Sequence, residues 1–252
     1  MFKTAKAEAT RDLLRSTALR LFREDGYERT TMRRVAVEAG VSTGNAYYYF
    51  PSKEDLVHEL YREVQDEHAC LVAERLEGPG AELTRLEDRL RVAWQASVDA
   101  FEPYHAVGTE LVSVAIRPGA RTSPFSAESA AARSASRAIF ADVVTGAHDV
   151  PPHLRAELPE LLWYGQLGLT LFWVHDTSPG RRRSRDLASH AARVAGRLAR
   201  LSRLPVARGV VDDVLGLARR FAVPADPAPA DPAQAEAALP GLATAATPGS
   251  GS

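Results

Sequence analysis

The sequence predicts an all-α protein, with an N-terminal three-helix domain of helix-turn-helix type followed by a larger helical domain. Apolar residues recur at helical spacing along nearly the whole chain, and no stretch alternates with the two-residue period of a half-buried strand. Glycine and proline then cut the chain into helix-sized lengths at Gly26, Gly40, Gly78-Pro79-Gly80, Arg117-Pro118-Gly119, Gly146, Pro151-Pro152, Ser178-Pro179-Gly180 and Pro205.

The first helix is expected over Ala7–Glu24, with Leu14, Ala18, Leu21 and Phe22 on one stripe and Gly26 just past its end. Thr30 and Thr31 are candidate caps for a short second helix whose apolar positions are Met32, Val35, Ala36 and Ala39. After a turn at Ala39-Gly40-Val41, Ser42 caps a third helix that runs to about Tyr49. Ser52 with Asp55 has the spacing of a capping box at the start of the fourth helix, which carries Leu56, Val57, Leu60, Val64 and Leu71. Further helices are expected over Leu83–Phe101, His105–Ile116, Phe125–Val144, Leu158–Val174, Arg185–Leu201 and Val206–Phe221. Three regions follow: residues 1–55, a helix-turn-helix domain; 56–222, a second helical domain; and 223–252, a tail of alanine, proline and glycine expected to stay without order.

Composition sets the class. Of the 252 residues 45% are hydrophobic and 25% charged, ordinary values for a globular protein. The net charge of -1 is unevenly spread, because residues 1–53 hold ten Lys and Arg against six Asp and Glu, a net +4. A basic head on an acidic body is compatible with phosphate binding at one end. The single cysteine, Cys70, excludes an intramolecular disulfide and a cysteine-rich zinc site. Met1-Phe2-Lys3 leads straight into a polar helical segment, and the longest apolar run, Leu161–Val174, is interrupted by Gln166 and too short to span a bilayer. A cytoplasmic protein without a membrane partner is expected, nucleoid-associated when bound to DNA.

Within Thr31–Phe50 a short amphipathic helix, a glycine turn and a second helix with a polar and aromatic face make the parts of a helix-turn-helix. Gly40 falls where that turn needs a positive φ. Ser42, Thr43, Gly44 and Asn45 are small enough to approach base edges without pushing the helix out of the major groove. The run Tyr47-Tyr48-Tyr49-Phe50 suggests phenol hydroxyls reaching phosphates while Tyr49 and Phe50 knit the small helices together. Lys53 stands at a helix N-terminus, where ammonium and backbone amides both suit a phosphate.

Phe22-Arg23-Glu24-Asp25-Gly26-Tyr27, and Gly40-Val41-Ser42-Thr43-Gly44-Asn45-Ala46-Tyr47-Tyr48-Tyr49-Phe50-Pro51-Ser52-Lys53-Glu54-Asp55-Leu56, resemble the N-terminal domain of TetR-family regulators over about residues 7–60. The resemblance implies an all-helical homodimer, in most members a repressor, that reads a partly palindromic double-stranded DNA operator and responds to a small molecule. It places Arg33, Thr43, Asn45 and Tyr47 at base-contacting positions and Thr31, Tyr48 and Lys53 at phosphate-contacting ones. With the residues beside them, the expected sets are Arg33, Thr43, Gly44, Asn45 and Tyr47 for bases, and Thr31, Ser42, Tyr48 and Lys53 for phosphates. Tyr49 departs from the histidine that many members carry.

The body bears no transferable motif. Its aromatics Trp94, Phe101, Tyr104, Phe125, Trp163 and Phe172, with His105, suit an effector pocket for a largely apolar ligand, the alternative being an ordinary core. Gly165, Gly168, Leu169, Leu187, Ala191, Val194 and Leu198 suggest a dimer seam of two helices, the alternative being two core helices of a monomer. Ala188 and Ala195 add small residues to the same reading. His105, His148, His153 and His175 lack a partner at metal-ligand spacing, and Arg181-Arg182-Arg183 with Arg185 reads as a solvated loop. No metal, cofactor or catalytic residue is expected, since no phosphate loop, nucleophile elbow or Cys/His cluster is present. The rival readings are a DNA-binding dimer indifferent to ligand and a helical enzyme.

Overall fold

A computed structural model describes residues 2–78 and 82–204, with isolated positions 209, 213, 216 and 220. Among the described residues the chain forms α1 (Phe2–Asp25), α2 (Met32–Glu38), α3 (Thr43–Tyr49), α4 (Lys53–Glu77), α5 (Leu86–Phe101), α6 (His105–Ala115), α7 (Ala130–Thr145), α8 (Leu158–Trp173) and α9 (Arg182–Leu201), and no strand. Apart from those isolated positions, the helix expected over Val206–Phe221 and the tail 223–252 lie outside the described residues. No helix among the described residues is long and apolar enough to cross a membrane.

Local chemistry explains most boundaries. Gly26 and Gly40 adopt φ of +91° and +67°, which a side chain would strain. At α4 the Ser52 amide donates to Asp55 Oδ2 at 2.8 Å while the Asp55 amide donates to Ser52 Oγ at 3.3 Å, closing the expected capping box. Four starts differ from expectation. α1 begins at Phe2 and not at Ala7, and α5 at Leu86 and not at Leu83, its Leu86 amide donating to Asp149 Oδ1 at 2.7 Å. α7 begins at Ala130 and not at Phe125, because the Arg133 guanidinium takes the Pro124 and Ser126 carbonyls at 2.7 and 2.9 Å and leaves the preceding segment as serine-stabilised turns. α9 begins at Arg182 and not at Arg185, because Asp176 Oδ2 caps it from outside the helix, accepting from the Ser184 amide at 2.8 Å and its hydroxyl at 2.7 Å.

The buried residues fall into two clusters. One joins α1, α2 and α3 to the first half of α4 through Leu14, Phe22, Val35, Ala46, Phe50 and Leu60, and extends to Ala100, Tyr104, Val107 and Leu111 of the α5–α6 region. The other gathers Val72 and Leu76 of α4 with Leu90 and Trp94 of α5, Phe140 of α7, Trp163 and Trp173 of α8, and Ala192 of α9. α4 belongs to both and joins them.

α9 carries two stripes. Ser184, Ala188, Ala192, Gly196 and Ala199 are buried, and α9 packs closely on α5: a Cβ on Gly196 would stand 2.9 Å from Glu87 Cβ. Leu187, Val194, Leu198 and Leu201 form an exposed apolar stripe. Ala188 is therefore spent on packing inside the protomer and is corrected from the seam. The same holds for Leu169, buried in the protomer's own core, whereas Gly165 stays exposed although a Cβ there would stand 2.9 Å from the Trp94 ring.

Candidate nucleic-acid interface and ligand cavity

The α2–turn–α3 unit is held by few side chains. Thr31 Oγ1 accepts from the Arg34 amide at 3.2 Å, Ser42 Oγ accepts from the Asn45 amide at 3.2 Å, and the Val41 amide closes the turn on the Ala36 carbonyl at 3.0 Å. Ala46 and Phe50 anchor α3 in the core. That anchoring turns Thr43, Gly44 and Asn45 to solvent, together with Tyr47 and Tyr48, exposed by 49% and 79%. Nothing lies within 4 Å of a Cβ on Gly44, so this end of the helix is an open surface. Tyr49, half-buried, meets the Tyr48 ring edge-on at 5.2 Å.

Thr31, Arg33 and Ser42 share this exposed region. The neighbouring Arg34 is drawn to Asp25 at 2.9 Å, and Arg20 to Glu24 and Glu38 at 2.7 and 3.1 Å. Lys53 differs from a simple surface cation. Its Nζ donates to the Tyr27 carbonyl at 2.9 Å and lies 3.8 Å from the centre of the Tyr27 ring. The ammonium is held in place by Tyr27 and keeps further protons to donate. Burial and the nearby Glu54 and Glu28 push the Tyr27 phenol up to about 12, so it stays neutral as that support. Sequence reasoning missed Tyr27 in this role because the contact joins the turn after α1 to the start of α4, 26 residues on.

In the body a cavity of about 700 Å³ lies among α4, α6, α7, α8 and the turns between Arg117 and Ser129. The size suits a small organic molecule. Phe101, Tyr104, Phe125 and Trp163 line it, with the Phe125 and Trp163 rings edge-to-face at 5.6 Å. Trp94, His105 and Phe172 are corrected. Trp94 packs on Gly165 in the core, and His105 stands behind the wall, its Nε2 donating to the Trp173 carbonyl at 3.0 Å. Phe172 meets the Arg183 guanidinium at 5.7 Å instead of the cavity. Gly168, expected at the dimer seam, lines the cavity wall.

Sequence reasoning missed Tyr61 and Gln65 of α4, Ser129, Arg133 and Ser136 near α7, and Gln166 and Thr170 of α8. Gln166 had a signal, as the one polar break in Leu161–Phe172 before Thr170. Burial raises the phenol of Tyr61 well above its ordinary value, and burial followed by the hydrogen bond to Glu63 does the same for Tyr104. Among the described residues no Asp, Glu, Lys or His lines the cavity, and no group of three or more His, Cys, Asp or Glu stands close enough to hold a metal ion.

Two contacts tie cavity to head. Arg121, in the turns that wall the cavity, reaches Asp55 at 3.5 Å, beside the α4 N-terminus. Glu110 of α6 accepts from the Glu28 amide at 3.1 Å, in the turn before α2.

Comparison with known proteins adds to this geometry. Residues 14–60 match the family described as bacterial regulatory proteins, tetR family, and residues 89–217, half of the chain, match the tetracyclin repressor-like C-terminal domain. The HTH-type transcriptional regulator HbdR of Aromatoleum is 38% identical over 96 residues, 37% of this chain and 40% of the relative. The HTH-type transcriptional repressor KstR2 of Mycobacterium tuberculosis is 32% identical over 101 residues, 40% of this chain and 48% of the relative. The alignments thus span less than half of these curated relatives. In fold, the chain is similar to a TetR transcriptional regulator from Nitrosomonas europaea, with TM-score 0.55 and 18% identity over 73% of this chain and 97% of the other. A tetR-family regulator from Streptomyces coelicolor also has TM-score 0.55, with 21% identity over 91% of this chain and 95% of the other.

Proposed function

The chain belongs to the tetR family of bacterial regulatory proteins, and from that premise we propose that it is a homodimeric repressor released from a palindromic operator by a small-molecule effector. The observation that carries this reading is the exposed face of α3, polar and aromatic, fixed from behind by Ala46 and Phe50. Asn45, Thr43, Gly44, Tyr47 and Arg33 read bases; Thr31, Ser42, Tyr48 and Lys53 hold phosphates. Two such heads must reach successive major grooves, roughly 34–36 Å apart. The exposed α9 stripe of Leu187, Val194, Leu198 and Leu201, with the half-buried Ala191 at its edge, joins the protomers.

The effector occupies the cavity. Its walls include Leu60, Tyr61, Val64 and Gln65 of α4, the helix shared by both cores. A ligand that fits one placement of α4 better than the other shifts the heads only by that difference in affinity, on the order of 1–3 kcal/mol. Arg121–Asp55 and Glu110–Glu28 are further links through which the shift reaches the recognition unit. An open cavity of about 700 Å³ favours this reading over a body that only dimerises.

Selection of bound duplexes from a random pool tests the proposal. The wild type is expected to enrich a palindrome, Asn45→Ala to relax it, and Tyr48→Phe to weaken all sequences alike. Folded protein that enriches no motif would overturn operator recognition.

A further inference from the structure

Gln166 is 4% exposed and lines the cavity. Its amide orientation is set locally. The Thr170 hydroxyl gives its proton to the Gln166 backbone carbonyl at 2.9 Å, so at 3.2 Å it can only accept from the Gln166 Nε2. The amide oxygen Oε1 is left buried with no partner. Across the cavity on α4 the Gln65 Oε1 is likewise buried without a partner, and Trp173 Nε1 is an unpaired buried donor. Buried polar atoms without partners are costly, and a ligand that satisfies them gains what the empty site lacks.

These atoms define a chemistry. Two acceptors ask for donors, and a carboxylate would bring only more acceptors against them. A cation would enter a wall with no carboxylate among the described residues. The Nη1 of Arg133 is engaged with the Pro124 and Ser126 carbonyls, where it fastens the cavity wall. Arg117 also borders the cavity but is exposed, and apart from it and the hydroxyls of serine, threonine and tyrosine the remaining lining is aliphatic and aromatic.

We propose that the cavity selects an uncharged, largely apolar molecule bearing a hydroxyl group, and that this hydroxyl donates to Gln166 Oε1. The proposal rests on the reading of the cavity as the effector site. Trp173 Nε1 is placed to donate to a second oxygen of the same ligand.

Four probes of equal chain length test it: decan-1-ol, its methyl ether, decanoate and decylammonium. Binding is read from the fluorescence of Trp163 and Trp173, both in the cavity wall. Decan-1-ol is expected to bind roughly tenfold tighter than each of the others, the scale of one buried acceptor left unpaired. In Gln166→Leu the alcohol and ether should bind alike; Gln166→Met serves if the first variant melts early. Ala132→Trp, which fills the cavity, should abolish binding of all four.

Equal affinity for alcohol and ether in the wild type, an alcohol preference that survives in Gln166→Leu, or tightest binding of decanoate or decylammonium would overturn the proposed chemistry. If binding is still lost in Ala132→Trp, the cavity remains the effector site. No binding by any probe, or binding indifferent to Ala132→Trp, would overturn both.

Discussion

His68 offers a quantitative test of how α4 is seated. It lies on the stretch of α4 that faces the body, 1% exposed, its ring packed edge-on to Phe140 at 6.4 Å. Its Nε2 lies 2.9 Å from the Ala93 carbonyl of α5, and because a carbonyl only accepts, the neutral ring carries its proton there. Burial lowers the imidazole from 6.5 to about 4; the bond to Ala93 opposes the shift and Arg75 reinforces it. As pH falls below 6.5 the unfolded chain takes up a proton that the folded chain refuses until about 4. The stability tied to the neutral ring is therefore full above 6.5 and lost on descending to about 4. At 1.36 kcal/mol per pH unit the loss is about 3 kcal/mol. His58, also lowered by burial, adds a slope of the same sign. Comparing the wild type with His68→Gln cancels that background, since glutamine keeps an N–H and does not titrate. Urea unfolding at one fixed protein concentration should show the wild type more stable at pH 7, by about 1 kcal/mol for the altered packing and hydrogen bond. Between pH 7 and 4 the difference should move by about 3 kcal/mol in favour of the variant. Parallel pH profiles for the two proteins would refute the buried neutral histidine.

Gly40→Ala should lower head stability by about 1–2 kcal/mol, since nothing lies within 4 Å of its Cβ and the cost is the positive φ alone. Gly40→Asn should recover part of that loss in a thermal melt, and equal melting of all three proteins would exclude strain at the turn. Burial alone would raise the Asp176 carboxyl, but the donors on Ser178 and Ser184 outweigh it and hold it below the usual carboxylate range. Asp176→Asn should therefore cost about 1–3 kcal/mol at neutral pH, a margin the wild type loses as pH falls below 3.8. A variant as stable as the wild type would remove Asp176 as the cap of α9. Leu198 and Val194 are 58% and 54% exposed in the protomer, so Leu198→Glu should weaken dimerisation on the order of a hundredfold while helicity is kept. Sedimentation that finds an unchanged dimer would place the seam elsewhere.

The recognition unit was legible because its signals are local. Thr31, Ser42 and Ser52 cap helices within three residues of themselves, Gly40 permits one backbone conformation, and Ala46 and Phe50 declare their buried face by spacing. Each of these effects acts within a helical turn or two, so the order of residues carries it. The helical periodicity of the body likewise announced α4 to α9, with starting points that shifted where a distant side chain intervened, Asp176 for α9 and Arg133 for α7.

The cavity depended on more than periodicity. Trp94 and Trp163 are equally aromatic and equally buried, yet only Trp163 borders the empty space, because Gly165 lets the Trp94 ring sink between α5 and α8. On α9 the small residues read as a seam between protomers pack on α5, and the larger ones on the opposite stripe remain exposed. Lys53 showed its charge in the sequence, and its hold on Tyr27 appeared only when the turn after α1 was brought against the start of α4. By itself the sequence determined helix class, caps, turns and the buried face of the head helices, since these follow from backbone conformation and from neighbours three or four residues away. Which faces meet, and where they leave a space, was decided by tertiary packing, because close fit between helices depends on side-chain volumes supplied from far along the chain.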